Sequence, residues 1–141
     1  MSVTDTERIA GDLARRLAPG ACIGLEGELG SGKTQFVRGM VTALGGDPRG
    51  VSSPTFVIMN IYDTPTMKVH HLDAYRLHGA GELESLGFDE LLTQGGIVVV
   101  EWASRVADAM PGGAVSVHVD TTGETSRTIT IGSAPRSAAA P

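Results

Sequence analysis

The chemically most informative stretch of the chain is a glycine-rich segment, Gly27 to Thr34, with the sequence GELGSGKT. It matches the pattern G-x-x-x-x-G-K-[ST], in which a tight loop turns successive backbone N–H groups toward phosphate oxygens. Glycines allow the positive φ angles and the close approach that such a loop requires. A helix that starts at the phosphates also favours anions through its N-terminal dipole. The segment therefore predicts a site for the phosphates of a nucleoside triphosphate.

The residues of this P-loop have distinct predicted roles. Lys33 would reach the β- and γ-phosphates as a mobile charge, and the Thr34 hydroxyl is placed to bind Mg²⁺. The predicted nucleotide-binding residues are Glu28, Leu29, Gly30, Ser31, Gly32, Lys33 and Thr34. A chance match is the alternative, but average residue usage gives the pattern in roughly one random chain of this length in a hundred or fewer. We therefore predict ATP as the substrate and Mg²⁺ as the cofactor.

Two acidic residues stand at the ends of predicted strands. Glu101 follows Ile97 to Val100, four consecutive β-branched residues that indicate a strand buried on both faces. Asp73 follows the run from Val69 to Leu72. P-loop enzymes use such an acid to hold Mg²⁺ or to order water, because the carboxyl edge of the sheet faces the phosphates. We expect both acids to reach the site from strands beside the P-loop strand, although the sequence leaves open that either is an ordinary solvated acid.

Thr55 and Trp102 are further candidates. Thr55 belongs to a loop after the P-loop helix, where many P-loop proteins sense the γ-phosphate, but a simple Ser/Pro turn is at least as compatible with the sequence. Trp102, the only tryptophan, follows Glu101 directly. Because side chains alternate along a strand, we expect its ring to point away from Glu101. Core packing and stacking at a ligand or partner surface both remain open for Trp102.

The histidines give a weaker signal. His70, His71 and His78 show neither a metal-ligand spacing with cysteines nor a HExxH pattern. We interpret them as packed or solvent-facing side chains.

Strands and helices alternate around these residues. The pattern predicts a helix that starts at a capping box, Thr4 to Glu7, and ends before Pro19, followed by a strand at 21–25 and a helix at 33–44. The remaining predicted elements are a hairpin of strands 57–62 and 67–72, a helical segment within 81–92, a strand at 97–100, a short helix at 103–110 and a hairpin of strands 114–119 and 128–131. This order predicts a three-layer α/β P-loop NTPase domain with a mixed, partly parallel sheet. Residues 1–132 would form this single domain and residues 133–141 a disordered tail.

Composition narrows the class of protein. The chain has 141 residues, a net charge of −5 and only two lysines, so strong autonomous binding of tRNA or other nucleic acid is not expected. A single cysteine excludes an intrachain disulfide. We find no signal-peptide pattern and no stretch long enough to span a membrane, which predicts a cytoplasmic protein without membrane contact.

Several motifs together resemble the TsaE family, the bacterial ATPase subunit of the machinery for tRNA threonylcarbamoyladenosine. They come in the family's order and spacing and cover most of residues 4–131. The matching stretches are LEGELGSGKTQFVR from Leu25 to Arg38, SPTF from Ser53 to Phe56, HLDAYRL from His71 to Leu77, ESLGFDE from Glu84 to Glu90, and Glu101-Trp102. The P-loop alone is unspecific, whereas the set is highly specific.

The resemblance implies roles for residues and partners. Lys33 and the loop amides bind the phosphates, Thr34 and Glu101 hold Mg²⁺, and Asp73 contributes to hydrolysis. Thr55 lies in a switch-like loop, and Trp102 is a functional position of the family. The family works with TsaD and TsaB to modify the adenosine beside the anticodon of ANN-decoding tRNAs. Its ATP hydrolysis supports the cycle of that complex and is not the carbamoyl-transfer chemistry itself.

Other nucleotide-dependent functions stay open to different degrees. A small-molecule kinase would need an acceptor pocket and an arginine-bearing lid, and no lid-sized insertion exists in the sequence. A GTPase would need the guanine-reading motif N-K-x-D, which the sequence lacks. A binding module with negligible hydrolysis is compatible with the sequence, because no arginine finger can be assigned beyond the candidate Arg76. We therefore predict slow hydrolysis that partners modulate.

Overall fold

The fold is built on one six-stranded sheet. The computed structural model describes residues 3–28, 32–52, 59–75, 77, 79–121 and 127–133. The strands are β1 (Cys22–Glu26), β2 (Met59–Tyr62), β3 (Val69–Asp73), β4 (Ile97–Glu101), β5 (Val115–Thr121) and β6 (Arg127–Ser133). The helices are α1 (Val3–Arg16), α2 (Lys33–Ala43), α3 (Ala80–Ser85) and α4 (Phe88–Leu92), with 3₁₀ segments at Pro48–Gly50 and Ala103–Ala109.

Four parallel strands form the centre of the sheet and two antiparallel strands form its edges. The order is β2-β3-β4-β1-β5-β6, in which β3, β4, β1 and β5 run parallel. The edge strands β2 and β6 pair antiparallel with β3 and β5, as the two predicted hairpins require. The predicted mixed, partly parallel sheet is therefore confirmed. Because β1 lies between β4 and β5, the loop after β1 opens at the centre of the carboxyl edge.

One face of the sheet is covered by α1 and α2. Their apolar residues pack with inward-facing residues of β1, β3, β4 and β5, for example Phe36, Val37, Ile23 and Val99, which are fully buried. The two helices approach closely at Gly39, where a Cβ atom would lie 2.6 Å from the Cα of Glu7. This packing fixes α2 against α1 on this face of the sheet.

The opposite face is covered by α3, α4 and the segment Ala103–Ala109. Leu83 of α3, Phe88 of α4 and Val106 of the 3₁₀ segment are fully buried against Val98 and other residues of the sheet. With helices on both faces, the domain has the predicted three layers. All five residues of β4 are buried, as the β-branched run predicted.

Local details differ from the sequence predictions. Helix α1 begins at Val3, so Thr4 lies in its first turn and not at the cap, and the predicted capping box is wrong at that residue. The predicted helical segment within 81–92 is two short helices, because Gly87 adopts a left-handed φ of 85° between them. The predicted helix at 103–110 is a 3₁₀ segment with a kink at Val106.

The predicted tail begins at Ser133, which is the last residue of β6. Residues 134–141 lie outside the described residues, so the disordered tail stays a prediction. Among the described helices, none has the length and hydropathy needed to cross a bilayer.

Candidate nucleotide-binding site

The start of α2 is left without a capping side chain. Gly32 occupies the N-cap with a left-handed φ of 113°, a conformation that other residues rarely adopt, and offers no side-chain acceptor. The first N–H groups of a helix have no partner within the helix. Lys33 and Thr34 follow directly in the first turn. This helix end is therefore arranged to receive an anion. Of the other predicted phosphate-binding residues, Glu28 is exposed and lies just after β1. The predicted ligands Leu29, Gly30 and Ser31 lie outside the described residues.

Lys33 is the most unusual charged residue of the site. It is 5% exposed, and its Nζ lies 3.5 Å from Oε1 of Glu101 and 4.2 Å from the centre of the Trp102 ring. Within the described part of the chain, this Nζ makes no hydrogen bond. A buried ammonium needs both a counter-charge and acceptors for its protons. Glu101 supplies the charge, and phosphate oxygens are suited to supply the missing acceptors.

Asp73 and Glu101 lie side by side at the carboxyl edge. They are register partners on β3 and β4, and both are nearly buried, at 6% and 4% exposed. Asp73 Oδ1 accepts a hydrogen bond from the backbone N–H of Tyr75 at 2.8 Å. The structure thus brings both predicted acids to the site. The prediction that both strands flank the P-loop strand is wrong for Asp73, because β4 separates β3 from β1.

Trp102 does not continue the strand. Its backbone is left-handed, with φ 59° and ψ 40°, and its backbone N–H donates to the carbonyl of Leu25 at 3.0 Å. Strand β4 ends at Glu101, so strand alternation does not decide where the Trp102 ring points. The half-buried ring packs against the apolar cluster on the face of α3 and α4, and it also contacts Lys33 and, at 5.1 Å between ring centres, the exposed ring of Tyr75. Trp102 thus combines core packing with stacking at the site, the two interpretations that the sequence left open.

His71 and Tyr62 belong to the site although the sequence did not single them out for it. His71 is fully buried, and its Nε2 is hydrogen-bonded to Oε2 of Glu101. Its Nδ1 lies 2.9 Å from the Tyr62 hydroxyl, which donates to the carbonyl of Ser52 at 2.8 Å. Burial raises the pKa of Tyr62, so the phenol keeps its proton. The i, i+2 spacing of His71 and Asp73 on one strand was the signal that could have found His71.

The oxygen atoms of the site can be compared with the ligands that the predicted Mg²⁺ prefers. Within the described residues, no group of three or more His, Cys, Asp and Glu could hold a metal by itself. Mg²⁺ is commonly bound through one or two carboxylates together with substrate phosphates and waters. The oxygen donors of Glu101, Asp73 and Thr34 fit that mode. The predicted Thr55 and the candidate Arg76 lie outside the described residues.

A separate cavity lies on the other face of β1. Its volume is about 390 Å³, and small side chains such as Ala103, Ala107 and Ser116 line it together with Glu26 and His118. None of its lining residues belongs to the cluster around Lys33. The chemistry described above is therefore centred at the carboxyl edge and not in this cavity.

Comparison with known proteins agrees with this picture. The family model "Threonylcarbamoyl adenosine biosynthesis protein TsaE" matches residues 1–129. The chain is 36% identical over 126 residues to the tRNA threonylcarbamoyladenosine biosynthesis protein TsaE of Bacillus subtilis. The aligned region covers 89% of this chain and 78% of the relative. It is 32% identical over 130 residues to the protein of the same name from Treponema pallidum, covering 92% and 95% of the two chains.

A solved structure shares the fold. The crystal structure of Bacillus subtilis YdiB superposes with a TM-score of 0.76 at 29% identity and covers 96% of this chain and 82% of that chain. The predicted resemblance rested on short motifs, whereas the family match extends over nearly all the described residues. The chain belongs to the TsaE family.

Proposed function

We propose that the protein binds ATP with Mg²⁺ and hydrolyses it slowly, in support of threonylcarbamoyl adenosine formation on tRNA in the cytoplasm. One observation supports the nucleotide site above all others. The buried Lys33 ammonium stands in the first turn of α2, faces Glu101 at 3.5 Å and makes no hydrogen bond in the described structure. The β- and γ-phosphates of ATP would give this ammonium its acceptors, and the first N–H groups of α2 would bind the same phosphates.

The metal would be held by few protein atoms. Glu101 and the Thr34 hydroxyl are the proposed ligands, and the phosphates complete the set. When bound, Mg²⁺ would neutralise the charge that develops on the phosphate oxygens. Lys33 would contribute to the same stabilisation through its ammonium charge.

Hydrolysis requires a water molecule aligned with the γ-phosphate. Asp73 is the proposed residue that orients this water, because it is buried beside Glu101 and one carboxylate oxygen is fixed by the N–H of Tyr75. Water would attack the γ-phosphorus while the bond to the β-phosphate oxygen breaks, giving ADP and phosphate. Thr55 and the P-loop amides of Leu29, Gly30 and Ser31 remain predicted contacts to the phosphates. Without an assigned arginine finger, we expect slow turnover by the chain alone.

The pathway assignment rests on the family. The relatives carry the name of tRNA threonylcarbamoyladenosine biosynthesis proteins, and the family resemblance implies TsaB and TsaD as partners. The net charge of −5 fits a subunit that drives the cycle of a complex without gripping tRNA by itself.

The experiment that tests this function is Mg²⁺-dependent ATP hydrolysis by the purified chain, with and without TsaB and TsaD. We expect weak hydrolysis alone, a marked change with both partners, and loss in Lys33→Ala by about 10²–10³-fold. Lys68→Ala is the matched control, because this exposed lysine pairs only with Asp63 in the described structure and lies away from the site.

Two results would contradict the proposal. Unchanged hydrolysis in Lys33→Ala would show that the P-loop is not the site. Vigorous turnover that ignores the partners, or transfer of phosphate to a small acceptor, would instead indicate an independent ATPase or a kinase.

A further inference from the structure

Four buried polar side chains form a continuous chain that ends at the P-loop lysine. It runs from the backbone of Ser52 through the Tyr62 hydroxyl, the His71 imidazole and the Glu101 carboxylate to Lys33. The side chains of His71, Glu101 and Lys33 are 0%, 5% and 6% exposed. Such a chain inside a core is costly unless every member has its partner, so its geometry is strongly specified.

The proton inventory fixes the direction of the central hydrogen bond. An ionised carboxylate only accepts hydrogen bonds, so Nε2 of His71 must carry a proton and donate to Oε2 of Glu101. Nδ1 of His71 faces the Tyr62 hydroxyl at 2.9 Å. The hydroxyl has one hydrogen, so it either donates to Nδ1 or donates to the carbonyl of Ser52 and accepts a hydrogen bond from Nδ1–H. The imidazole is therefore held at both nitrogens and cannot rotate freely.

The two oxygens of Glu101 consequently face different groups. Oε2 is occupied by His71, and Oε1 faces Lys33 at 3.5 Å. The backbone of Glu101 is fixed as well, because β4 is paired on both sides and its carbonyl accepts from the N–H of Ala74 at 3.0 Å. Only Oε1 remains directed at the phosphate-binding end of α2.

We propose that His71, held by Tyr62, is a positioning residue that sets the orientation of Glu101 toward Lys33 and the bound metal. For the metal, the inference rests on the proposed function. For the Lys33–Glu101 pair, it depends only on the contacts described above. Partners behind a metal ligand typically change metal affinity or activity 10–100-fold when removed. Small displacements of a reacting arrangement have effects of similar size.

The neighbouring histidine gives a matched control. His70 is also buried, points to the opposite face of β3, and has no hydrogen-bond partner at either ring nitrogen in the described part of the chain. His70→Leu therefore removes a buried imidazole from the same strand without touching Glu101. His71→Leu removes both hydrogen bonds, His71→Gln keeps one amide donor, and Tyr62→Phe removes a single hydroxyl.

The first measurement needs no ligand. Trp102 is the only tryptophan and lies 4.2 Å from the Lys33 ammonium, so its fluorescence reports on where that charge sits. We expect His71→Leu to shift the emission of the folded protein toward that of Lys33→Ala, with a smaller shift in Tyr62→Phe and none in His70→Leu. Melting temperatures identify any variant that fails to fold.

The second measurement is the Mg²⁺ concentration that gives half-maximal ATP hydrolysis. We expect it to rise about 10–100-fold in His71→Leu, less in Tyr62→Phe, and to be partly restored in His71→Gln, with the KM for ATP at saturating Mg²⁺ changing less. His70→Leu should stay within about twofold of the original protein.

Different outcomes separate the two proposals. A folded His71→Leu with unchanged Trp102 emission and unchanged Mg²⁺ dependence overturns the positioning role, as does an equal effect of His70→Leu. If the original protein neither binds nor hydrolyses ATP, the proposed function fails, whereas the ligand-free emission still supports or overturns the role of His71 beside Glu101.

Discussion

The two adjacent histidines of β3 lie on opposite faces of the sheet and differ in their hydrogen bonding. On the face toward α1 and α2, His71 has a partner at each nitrogen and leads to Glu101 and Lys33. On the face toward α3 and α4, His70 is equally buried, but neither nitrogen finds a hydrogen-bond partner in the described structure. Burial alone therefore does not distinguish a functional polar residue from one that the core merely tolerates. What distinguishes His71 is that its contacts continue to Glu101 and Lys33 at the carboxyl edge of the sheet.

The same contrast extends to the whole sheet. The layer of α1 and α2 ends at a buried cluster of ionisable groups, whereas the layer of α3, α4 and Ala103–Ala109 packs mainly apolar side chains. We expect substitutions on the first face to be strongly destabilising where they break the cluster or the α1–α2 contact. Substitutions of exposed residues on the second face, such as Gly81 of α3, should have smaller effects.

The largest expected effect on stability comes from breaking the Lys33–Glu101 pair. Glu101→Gln leaves a 5%-exposed ammonium without its counter-charge, and such a loss typically costs about 3–5 kcal/mol. We expect a drop of that order in the free energy of unfolding, measured by urea denaturation. The double variant Lys33→Met with Glu101→Gln should recover most of it, and failure to recover would mean that the pair is not coupled.

Gly39→Ala should have the next largest effect. A Cβ there would lie 2.6 Å and 2.8 Å from the Cα and carbonyl carbon of Glu7, so the backbone of α1 has to move. Overpacking of this kind costs about 1–3 kcal/mol. Thermal or urea unfolding measures it, and a neutral result would show that α1 shifts without loss of packing.

The elements predicted correctly are those whose signal is local. The β-branched run before Glu101 and the turn-bounded hairpins depend on neighbouring residues, and the fold class follows from the order of the elements. The nucleotide-binding role of the P-loop stays a prediction. At Trp102 strand alternation is no guide, because β4 ends at Glu101 and the backbone of Trp102 is left-handed. The roles of His71 and Tyr62 were missed. The i, i+2 spacing places His71 on the same face as Asp73, but its contacts with Tyr62 and Glu101 depend on the β2-β3-β4 register, which no local pattern encodes.

A smaller effect is expected from the pH response of His70. Burial, and to a lesser degree Lys68, lowers the pKa of this imidazole below its ordinary value. The unfolded chain therefore takes up a proton before the folded one as pH falls below about 6.5, so stability decreases from there down to the folded pKa. Each unit of pKa difference corresponds to about 1.4 kcal/mol. Denaturation midpoints between pH 7.5 and 5.0 should fall less in His70→Leu than in the original chain, and identical slopes would refute this assignment.

The smallest expected effect is a gain in stability from a substitution on the face covered by α3 and α4. Gly81 lies in α3, where a Cβ added to it would meet no atom within 4 Å, and its φ is not positive. Replacing a helical glycine by alanine is worth about 0.5–1 kcal/mol. We expect Gly81→Ala to raise the melting temperature slightly, in contrast to Gly39→Ala, and a loss of stability would contradict the described exposure of α3.

The most direct test of the proposed nucleotide site is calorimetric titration with a non-hydrolysable ATP analogue, with and without Mg²⁺. We expect one site per chain, tighter binding with Mg²⁺, and severe loss of binding in Lys33→Ala but not in Lys68→Ala. Equal binding by Lys33→Ala and the original chain would contradict the assignment of Lys33 to the phosphates, and no binding by either would contradict the nucleotide site itself.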